Sequence, residues 1–473
     1  MISFVISLAL LIGSYFLYGR YVERLFGADG KIVTPAIRMQ DGVDYVPMPA
    51  WKLFLIQFLN IAGIGPIFGA IAGALWGPAA FIWIVFGTIF AGGVHDYFSG
   101  MLSMRHNGLS IPEIVGVYLG SGFKQFLRGF TVILLLLVGV VFVAGPAQLL
   151  NGLIPGPDIR FWLSIIFAYY IIATLLPVDK LIGRLYPIFG AALFLMAIGI
   201  TGGIVVKGYT IPEVSLENWH PAGLPIWPLM FITIACGAIS GFHSTQSPIM
   251  ARCCSNELLG RRVFYGAMVA EGIVALIWAA ASMAFFGSTA EISAFMSEHG
   301  QQAGVVNHIS TSLLGPVGGV LAVVGVVLCP VSSGDTAFRS ARLTISDFLK
   351  LNQKPFRNRL LIAIPLFITG FILTNVDFQV IWRYFAWSNQ TIAMIVLWTA
   401  AAYLGKHHKL HWIASIPATF MTAVTVTYLL VAPEGFNLAS SIAYPLGIIA
   451  AIAAFASFFY VKIKYQEVKS REQ

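Results

Sequence analysis

The chain consists almost entirely of long apolar runs, each about the 20 residues that an α-helix needs to cross ~30 Å of hydrocarbon. Strands of a membrane barrel would instead give segments of ~10 residues with alternating hydrophobicity. A spanning segment must pair its own backbone groups in lipid, and continuous apolar runs do so as helices. The sequence therefore predicts an all-α polytopic membrane protein.

Thirteen such segments can be delimited, and we expect about 13 transmembrane helices. They lie near residues 2–19, 53–76, 79–103, 129–151, 160–177, 185–206, 226–250, 263–286, 313–343, 360–374, 380–403, 411–431 and 442–461. The first run has no preceding positive charge and no small-residue cleavage site. We therefore expect it to be a retained helix rather than a signal peptide.

The distribution of charge predicts the topology. Only 10% of residues are charged, against ~25% in soluble domains, so no soluble domain is expected. If successive loops alternate sides, one side receives most of the lysines and arginines, and the other receives acidic or neutral loops such as GYTIPEVSLENWHPAG. The positive-inside rule then places the N-terminus outside and the C-terminus in the cytoplasm. The net charge of +8 is explained by topology and implies no nucleic-acid partner.

The four cysteines do not form the pattern of a disulfide framework. Cys236 and Cys329 lie inside apolar runs, and Cys253 and Cys254 are adjacent in a basic loop. No metal-ligand spacing such as H-E-x-x-H occurs in the chain. We therefore expect no metal site, with Na⁺ left open as the one exception.

Two of the apolar segments resemble each other. The second contains PAWKLFLIQFLNIAGIGPIFGA and the seventh contains PIWPLMFITIACGAISGFHSTQSP; both open with Pro-x-Trp. An offset of 176 residues also aligns Ala62 with Ala238 and Gly65 with Gly241. The starts of the second and seventh segments are five spans apart. Because five is an odd number, the seventh segment crosses the membrane in the direction opposite to the second. This pattern predicts an inverted repeat.

The repeat divides the chain into four parts. Residues 1–50 form an extra N-terminal helix and a cytoplasmic loop, 51–206 the first five helices, 225–403 the second, inverted five, and 404–473 two further helices and a cytoplasmic tail.

Both related segments carry helix-breaking residues. In NIAGIGP, Pro66 lacks a backbone N–H, and Gly63 and Gly65 tolerate unusual dihedral angles, so the helix can unwind there. Paired breaks of this kind mark the solute site of inverted-repeat transporters. The alternative is a glycine-rich packing face with a proline kink.

The segment GAISGFHSTQSP combines two glycines with many hydrogen-bonding side chains. A half-helix that begins after the break would direct its positive end at a bound carboxylate. The predicted substrate-binding residues are Asn60, Gly63, Gly65, Ser240, Gly241, His243, Ser244, Thr245 and Gln246. Alternatively, the hydroxyls bond to their own helix and His243 makes a structural bond between helices.

The ninth segment contains an intramembrane carboxylate, Asp335, which helical spacing places on one face with Ser332 and Thr336. Together with carbonyls at Ala62 and Gly63, these residues would suit a coupling sodium ion or proton. The alternative is a salt bridge to Arg339, four residues further on.

Three other ionisable residues lie inside the spans, and we expect a proton relay or a structural role for them. Glu271 has apolar neighbours and should be protonated, paired or solvated by a cavity. His95 and Asp96 are near a cytoplasmic helix end, where a structural pair that joins helix to loop is the preferred interpretation.

Several motifs in order resemble the carbon-starvation protein family (CstA). They are DGVDYVPM, AGGVHDYFSGMLSMRHNG, ACGAISGFHSTQSP, NELLGRRVFYGAMVAEG and SGDTAFRSAR, between about residues 41 and 345. The resemblance implies the LeuT-like fold of the amino acid-polycation-cation (APC) superfamily, in the cytoplasmic (inner) membrane of a prokaryote. It also implies ion-coupled uptake of peptides or pyruvate.

Carried over by position, the resemblance places the first discontinuous helix at Gly63, Gly65 and Pro66, and the second at Ser240, Gly241 and His243. It places Asp335 where related transporters build a cation site.

The predicted function is therefore secondary active transport: an ion-coupled symporter that imports a small organic solute such as pyruvate, a short peptide or an amino acid. Beyond lipid, the solute and a coupling Na⁺ or H⁺, no cofactor is expected, and the oligomeric state stays open. The alternative functions are a channel and a membrane-embedded enzyme. A channel would be expected to carry a repeated filter sequence, and a membrane-embedded enzyme could carry a nucleophile elbow; neither motif is present in the sequence.

Overall fold

The computed structural model describes residues 1–42, 44–175, 178–351 and 355–471. Within these ranges every extended regular element is a helix, and the single β-bridge joins Met48 to Cys254. The predicted all-α class is confirmed.

Eleven helices precede the long loop that begins after residue 206. They are α1 (Ile2–Phe16), α2 (Tyr18–Phe26), α3 (Pro35–Arg38), α4 (Ala50–Ile61), α5 (Gly65–Gly73), α6 (Ala79–Ile82), α7 (Gly93–Arg105), α8 (Ile111–Leu119), α9 (Ser121–Leu153), α10 (Ile159–Leu175) and α11 (Val178–Val206). A 3₁₀ turn at Ala74–Trp76 extends α5, and a π-helical segment at Trp83–Gly92 makes α6 and α7 one continuous rod.

Ten more helices follow the loop. They are α12 (Leu229–Thr233), α13 (Gly241–Ala251), α14 (Gly266–Phe286), α15 (Thr289–Glu298), α16 (Gln301–Ala322), α17 (Cys329–Leu349), α18 (Phe356–Leu373), α19 (Phe378–Lys406), α20 (Trp412–Val431) and α21 (Ser440–Arg471). A 3₁₀ turn at Glu257–Leu259 and a π-helical segment at Arg261–Tyr265 precede α14, and a second π-helical segment, Val323–Leu328, joins α16 to α17.

Each of the thirteen predicted segments contains helix in the described residues. In the described ranges, nine helices are long and apolar enough to cross a membrane. The number is ten if α4 and α5 count as one bent span. The remainder include α19, which carries the polar stretch Ser388–Gln390. The chain is a multi-pass membrane protein, and the count of 13 spans stays a prediction.

Both predicted helix breaks are present. The axes of α4 and α5 differ by 48°, and Pro66 lies in the first turn of α5, where its missing N–H costs no helical hydrogen bond. Residues 234–240 separate α12 from α13 in an irregular conformation. The inverted relation between 51–206 and 225–403 stays a prediction, but each of these parts begins with a broken helix.

The breaks lie inside the helix bundle. Helices α4 and α5 both pack on α14, while α13 packs between α7 and α19. The long helix α9 contacts α10, α16, α17 and α19 and so joins the two halves.

One segment expected to be a loop is largely helical. Residues 287–312 contain α15 and the first turns of α16. That first part ends at Gly315, whose φ of +62° is in the left-handed region that glycine tolerates, and Pro316 follows it.

The N-terminal rod, α1 with α2, ties two distant loops to its two ends. At one end the Met1 ammonium group bonds to Glu213 at 2.7 Å, and with Ser3 it lowers the pKa of the Glu213 carboxyl to about 2. At the other end, Lys409 donates to the carbonyl oxygen of Phe26. The loops around residues 213 and 409 therefore lie on opposite faces of the protein.

Single cysteines introduced into these two loops should be modified from opposite sides of the membrane. All four native cysteines are buried and should give little background. Glu217 and His408 are exposed, so Glu217→Cys and His408→Cys should each react with an impermeant maleimide from one side only. Modification of both variants from the same side would contradict this arrangement.

Candidate solute and coupling site at the two helix breaks

The two breaks contact each other. A Cβ atom at Gly65 would lie 2.6 Å from both Cβ and Sγ of Cys236, and one at Gly237 would lie 3.7 Å from Cα of Pro66. A side chain at position 65 would therefore push the two irregular segments apart. Glycine is needed here for the close approach of the two segments.

Helix α19 satisfies the free backbone groups at both ends of the second break. The Asn389 side-chain oxygen accepts the Phe242 N–H at 2.6 Å, and its amide nitrogen donates to Ser240 Oγ at 2.9 Å. The neighbouring Gln390 donates to the carbonyl oxygen of Phe231, at the end of α12, at 3.2 Å. Two adjacent side chains thus replace bonds that the unwound helix lacks.

The rod formed by α6 and α7 covers another side of this break. Thr88 donates to the carbonyl oxygen of Gly237 at 3.2 Å. A Cβ atom at Gly92 would come within 2.3 Å of the Ala238 carbonyl oxygen. The irregular backbone is therefore enclosed by protein rather than exposed to lipid.

The first break is bordered by α17. Ser333 donates to the carbonyl oxygen of Leu59 at 3.3 Å, and the Cys329 thiol lies 3.5 Å from the same oxygen. Gln57 lies in α4, about one turn before this break, and is fully buried. Both polar atoms of its side chain are without a hydrogen-bond partner among the described residues. A buried amide without hydrogen bonds destabilises the folded protein, and contact with a polar solute would supply the missing bonds.

The predicted substrate-binding residues divide into two groups. Ser244 and Thr245 bond back to carbonyl oxygens of their own helix, at 2.6 and 2.7 Å, which matches the structural alternative. Gly63, Gly65, Ser240 and Gly241 lie at the breaks, Asn60 is buried in the last turn of α4, and the Gln246 carbonyl oxygen has no partner among the described residues.

His243 belongs to a buried network of ionisable groups. Its Nδ1 lies 2.9 Å from Asp96 Oδ2, and His95 Nδ1 lies 2.7 Å from Asp96 Oδ1. On the other side of the ring, His243 Nε2 is 3.3 Å from Glu271 Oε2, without hydrogen-bond alignment. All four side chains have 0% exposure. We call these residues the His–carboxylate cluster.

The prediction that His95 and Asp96 join a helix to a loop was wrong. Asp96 instead links α7 to α13 through His243, 147 positions away in the sequence. The rod of α6 and α7 continues to residue 105, and Asp96 is fully buried, so position 96 lies inside the bundle and not at its end.

Asp335 forms the predicted alternative, an ion pair with Arg339 at 3.1 Å. The hydroxyl groups of Ser332 and Thr336 donate to carbonyl oxygens of α17 itself, both at 2.7 Å. Ser333 is the residue that faces α4, and residues two apart on a helix point in nearly opposite directions. Asp335 therefore points away from the face of α17 that contacts α4. A cation site formed by Ser332, Asp335 and Thr336 with Ala62 and Gly63 stays a prediction.

Sequence reasoning missed Gln57, Asn389 and Gln390. The stretch Ser388–Gln390 interrupts an apolar run in the same way as the residues around His243. An intramembrane polar cluster was thus the available signal.

The fold is that of solved secondary transporters. A manganese transporter of Eremococcus coleocola superposes with a TM-score of 0.54 at 12% identity, over 92% of this chain and 99% of that one. MhsT in complex with L-phenylalanine superposes with a TM-score of 0.53 at 18% identity, over 86% and 97%.

The chain belongs to the carbon starvation protein CstA family, whose model matches residues 1–154 and 156–316. An uncharacterized membrane protein of Haemophilus influenzae is 45% identical over 339 residues, which cover 60% of this chain and 91% of that protein. Relatives of this chain that have named activities are transporters, which supports a transporter and not a channel.

Two relatives in Escherichia coli have named activities. The peptide transporter CstA is 24% identical over 560 aligned positions, covering 89% of this chain and 80% of that protein. The pyruvate/proton symporter BtsT is 28% identical over 343 positions, covering 58% of this chain but only 47% of BtsT.

Removal of the Asn389 side chain should destabilise the second break. In Asn389→Ala the buried Phe242 N–H loses its acceptor, which costs about 1–3 kcal/mol. We expect a lower melting temperature in detergent. Asn375→Ala is the control, because Asn375 is exposed and bonds only to carbonyl oxygens of the preceding helix. Equal melting temperatures for the two variants would exclude this role for Asn389.

Proposed function

We propose that the protein is an ion-coupled symporter that imports a small organic carboxylate, bound where the two broken helices meet. The observation that carries this proposal is the contact between the breaks, Gly65 against Cys236 and Pro66 against Gly237. In a helical membrane protein, irregular backbone that is buried in this way is typical of a solute site.

The carboxylate would bind at the N-terminal end of α13. Helix N-termini attract anions because their N–H groups are unpaired and the helix dipole is positive there. Asn389 now accepts the Phe242 N–H through a neutral oxygen. An incoming carboxylate can compete for this donor, while the side-chain amide of Gln57, near the end of α4, can bind the rest of the solute.

The activities of the relatives agree with this chemistry. Pyruvate and peptides, named for BtsT and CstA, share a carboxylate. Amino acids share it too. We propose that one of these solutes is imported with Na⁺ or H⁺, by a transporter rather than an enzyme.

We further propose that the protein lies in the cytoplasmic membrane with its basic loops inside the cell. His408→Cys should then react from the cytoplasm and Glu217→Cys from outside.

Purified protein in liposomes provides the test. Radiolabelled pyruvate, alanine, dialanine and trialanine are supplied separately, with and without sodium and with and without a pH gradient. We expect saturable accumulation of at least one solute against its gradient. Ohmic current without accumulation, or no uptake of any of the four, would contradict the proposal.

Alanine substitutions of two glycines provide a matched pair of variants. The new Cβ in Gly65→Ala would lie 2.6 Å from Cys236, whereas the Cβ in Gly202→Ala has no atom within 4 Å. We expect Gly65→Ala to reduce uptake about tenfold or more, because ~1.4 kcal/mol of lost binding gives that factor. Gly202→Ala should transport normally, and equal uptake by both variants would show that the breaks need not touch.

A further inference from the structure

We propose that the His–carboxylate cluster of His95, Asp96, His243 and Glu271 binds the coupling proton, and that the proton is held between His243 and Glu271. This inference rests on the proposed symport and names its ion and its binding site. It assigns coupling to α7, α13 and α14 instead of to Asp335 on α17.

The number of hydrogen atoms in the cluster leads to this assignment. Three contacts in series join His95 to Asp96, Asp96 to His243, and His243 to Glu271. Each contact needs one hydrogen atom between its two heavy atoms. Two neutral imidazoles supply one hydrogen each, and ionised carboxylates supply none. One contact is therefore left with two facing lone pairs until a single additional proton binds.

The contact between His243 Nε2 and Glu271 Oε2 is where this proton belongs. The two Nδ1 atoms face the two oxygens of Asp96 at 2.9 and 2.7 Å, so both imidazole hydrogens are used in those contacts. The Glu271 contact is longer, at 3.3 Å, and neither Glu271 oxygen has a hydrogen-bond partner in the described part of the chain. A proton between His243 Nε2 and Glu271 Oε2 gives each of the three contacts one hydrogen atom.

The surroundings contain few competing charges. Among the described residues, the titratable groups that face His243 are His95 and Asp96 from α7 and Glu271 from α14, and the Cys236 thiol of the second break lies near Asp96 and Glu271. Asp96 and Glu271 are not neutralised by a lysine or arginine in any described ion pair. By contrast, Asp335 already has the fixed charge of Arg339 beside it. A group compensated in that way gains less from binding a proton.

The cluster is close enough to the solute site to affect it. His243 is the third residue of α13, directly after Gly241 and Phe242. A proton on the cluster adds positive charge behind the helix end that would hold the carboxylate, and therefore favours the anionic solute. Because linkage is reciprocal, bound solute increases the affinity for the proton by the same factor.

The test measures the affinity of detergent-purified protein for pyruvate and for dialanine between about pH 6 and about pH 8. Histidine side chains ordinarily gain or lose a proton near this range. We expect affinity to fall with rising pH, by up to about tenfold per pH unit for one coupled proton. In liposomes, an inward proton gradient without sodium should drive accumulation. Wild-type affinity that does not change with pH, or accumulation that requires sodium and ignores the pH gradient, would overturn this inference but not the proposed symport.

Glu271→Gln imitates the protonated state, because its amide can donate permanently to His243 Nε2. We expect this variant to bind the solute equally well at both ends of the pH range. It should exchange labelled for unlabelled solute but lose accumulation driven by the proton gradient. A pH dependence like that of the wild type would overturn the assignment.

His106→Gln is the matched control, since His106 is a partly buried histidine that bonds to Tyr118 outside the cluster. It should retain the pH dependence of the wild type. A similar loss in both variants would overturn the assignment to the cluster. Failure of the wild-type protein to bind or transport any of the four solutes would instead refute the proposed function itself.

Discussion

The absence of hydrogen-bonding partners in lipid governs this structure. A helix that unwinds in the membrane exposes N–H and carbonyl groups, each of which costs several kcal/mol if it stays unpaired. In the described part of the chain, the two spans that form the candidate site unwind at residues 62–64 and 234–240. Both breaks must therefore be enclosed by polar groups of other helices. Asn389, Gln390 and Thr88 provide such groups at the second break, and Ser333 provides one at the first.

The same constraint determines which residues surround the breaks. Two irregular segments can approach only where side chains are small, which explains Gly65 against Cys236 and Gly92 against Ala238. Close packing also excludes water from the neighbouring helices, so the His–carboxylate cluster lies in a region of low polarity. There a single proton changes the local energy far more than it would at the surface. The proposed solute site and the proposed protonation site are therefore neighbours, because the same packing encloses the second break and the cluster.

The sequence predicted the features that depend on local residue chemistry. Gly63, Gly65 and Pro66 indicate a break without knowledge of any partner, and so do the glycines before His243. The ion pair of Asp335 with Arg339 was foreseen as an alternative, because its residues are four apart on one helix. The sequence alone did not indicate whether Asp335 would bind a cation or pair with Arg339. This depends on which face of α17 packs against α4.

Contacts between distant parts of the chain were not predictable in this way. Asn389 is 147 positions from the N–H group that it accepts, and the same separation divides Asp96 from His243. A single sequence shows that each of these side chains is polar and intramembrane, but not which of them meet. The rod of α6 and α7 continues to Arg105, and Asp96 is fully buried within it, where the sequence suggested a helix end.

The proposed solute and proton sites are adjacent, around the second break. The most direct measurement is the number of protons taken from a weakly buffered solution, followed with an indicator dye, when pyruvate or dialanine binds to the purified protein at about pH 8. The account predicts uptake approaching one proton per bound solute, from the single additional hydrogen that the cluster needs. Full solute binding with no proton uptake would contradict it.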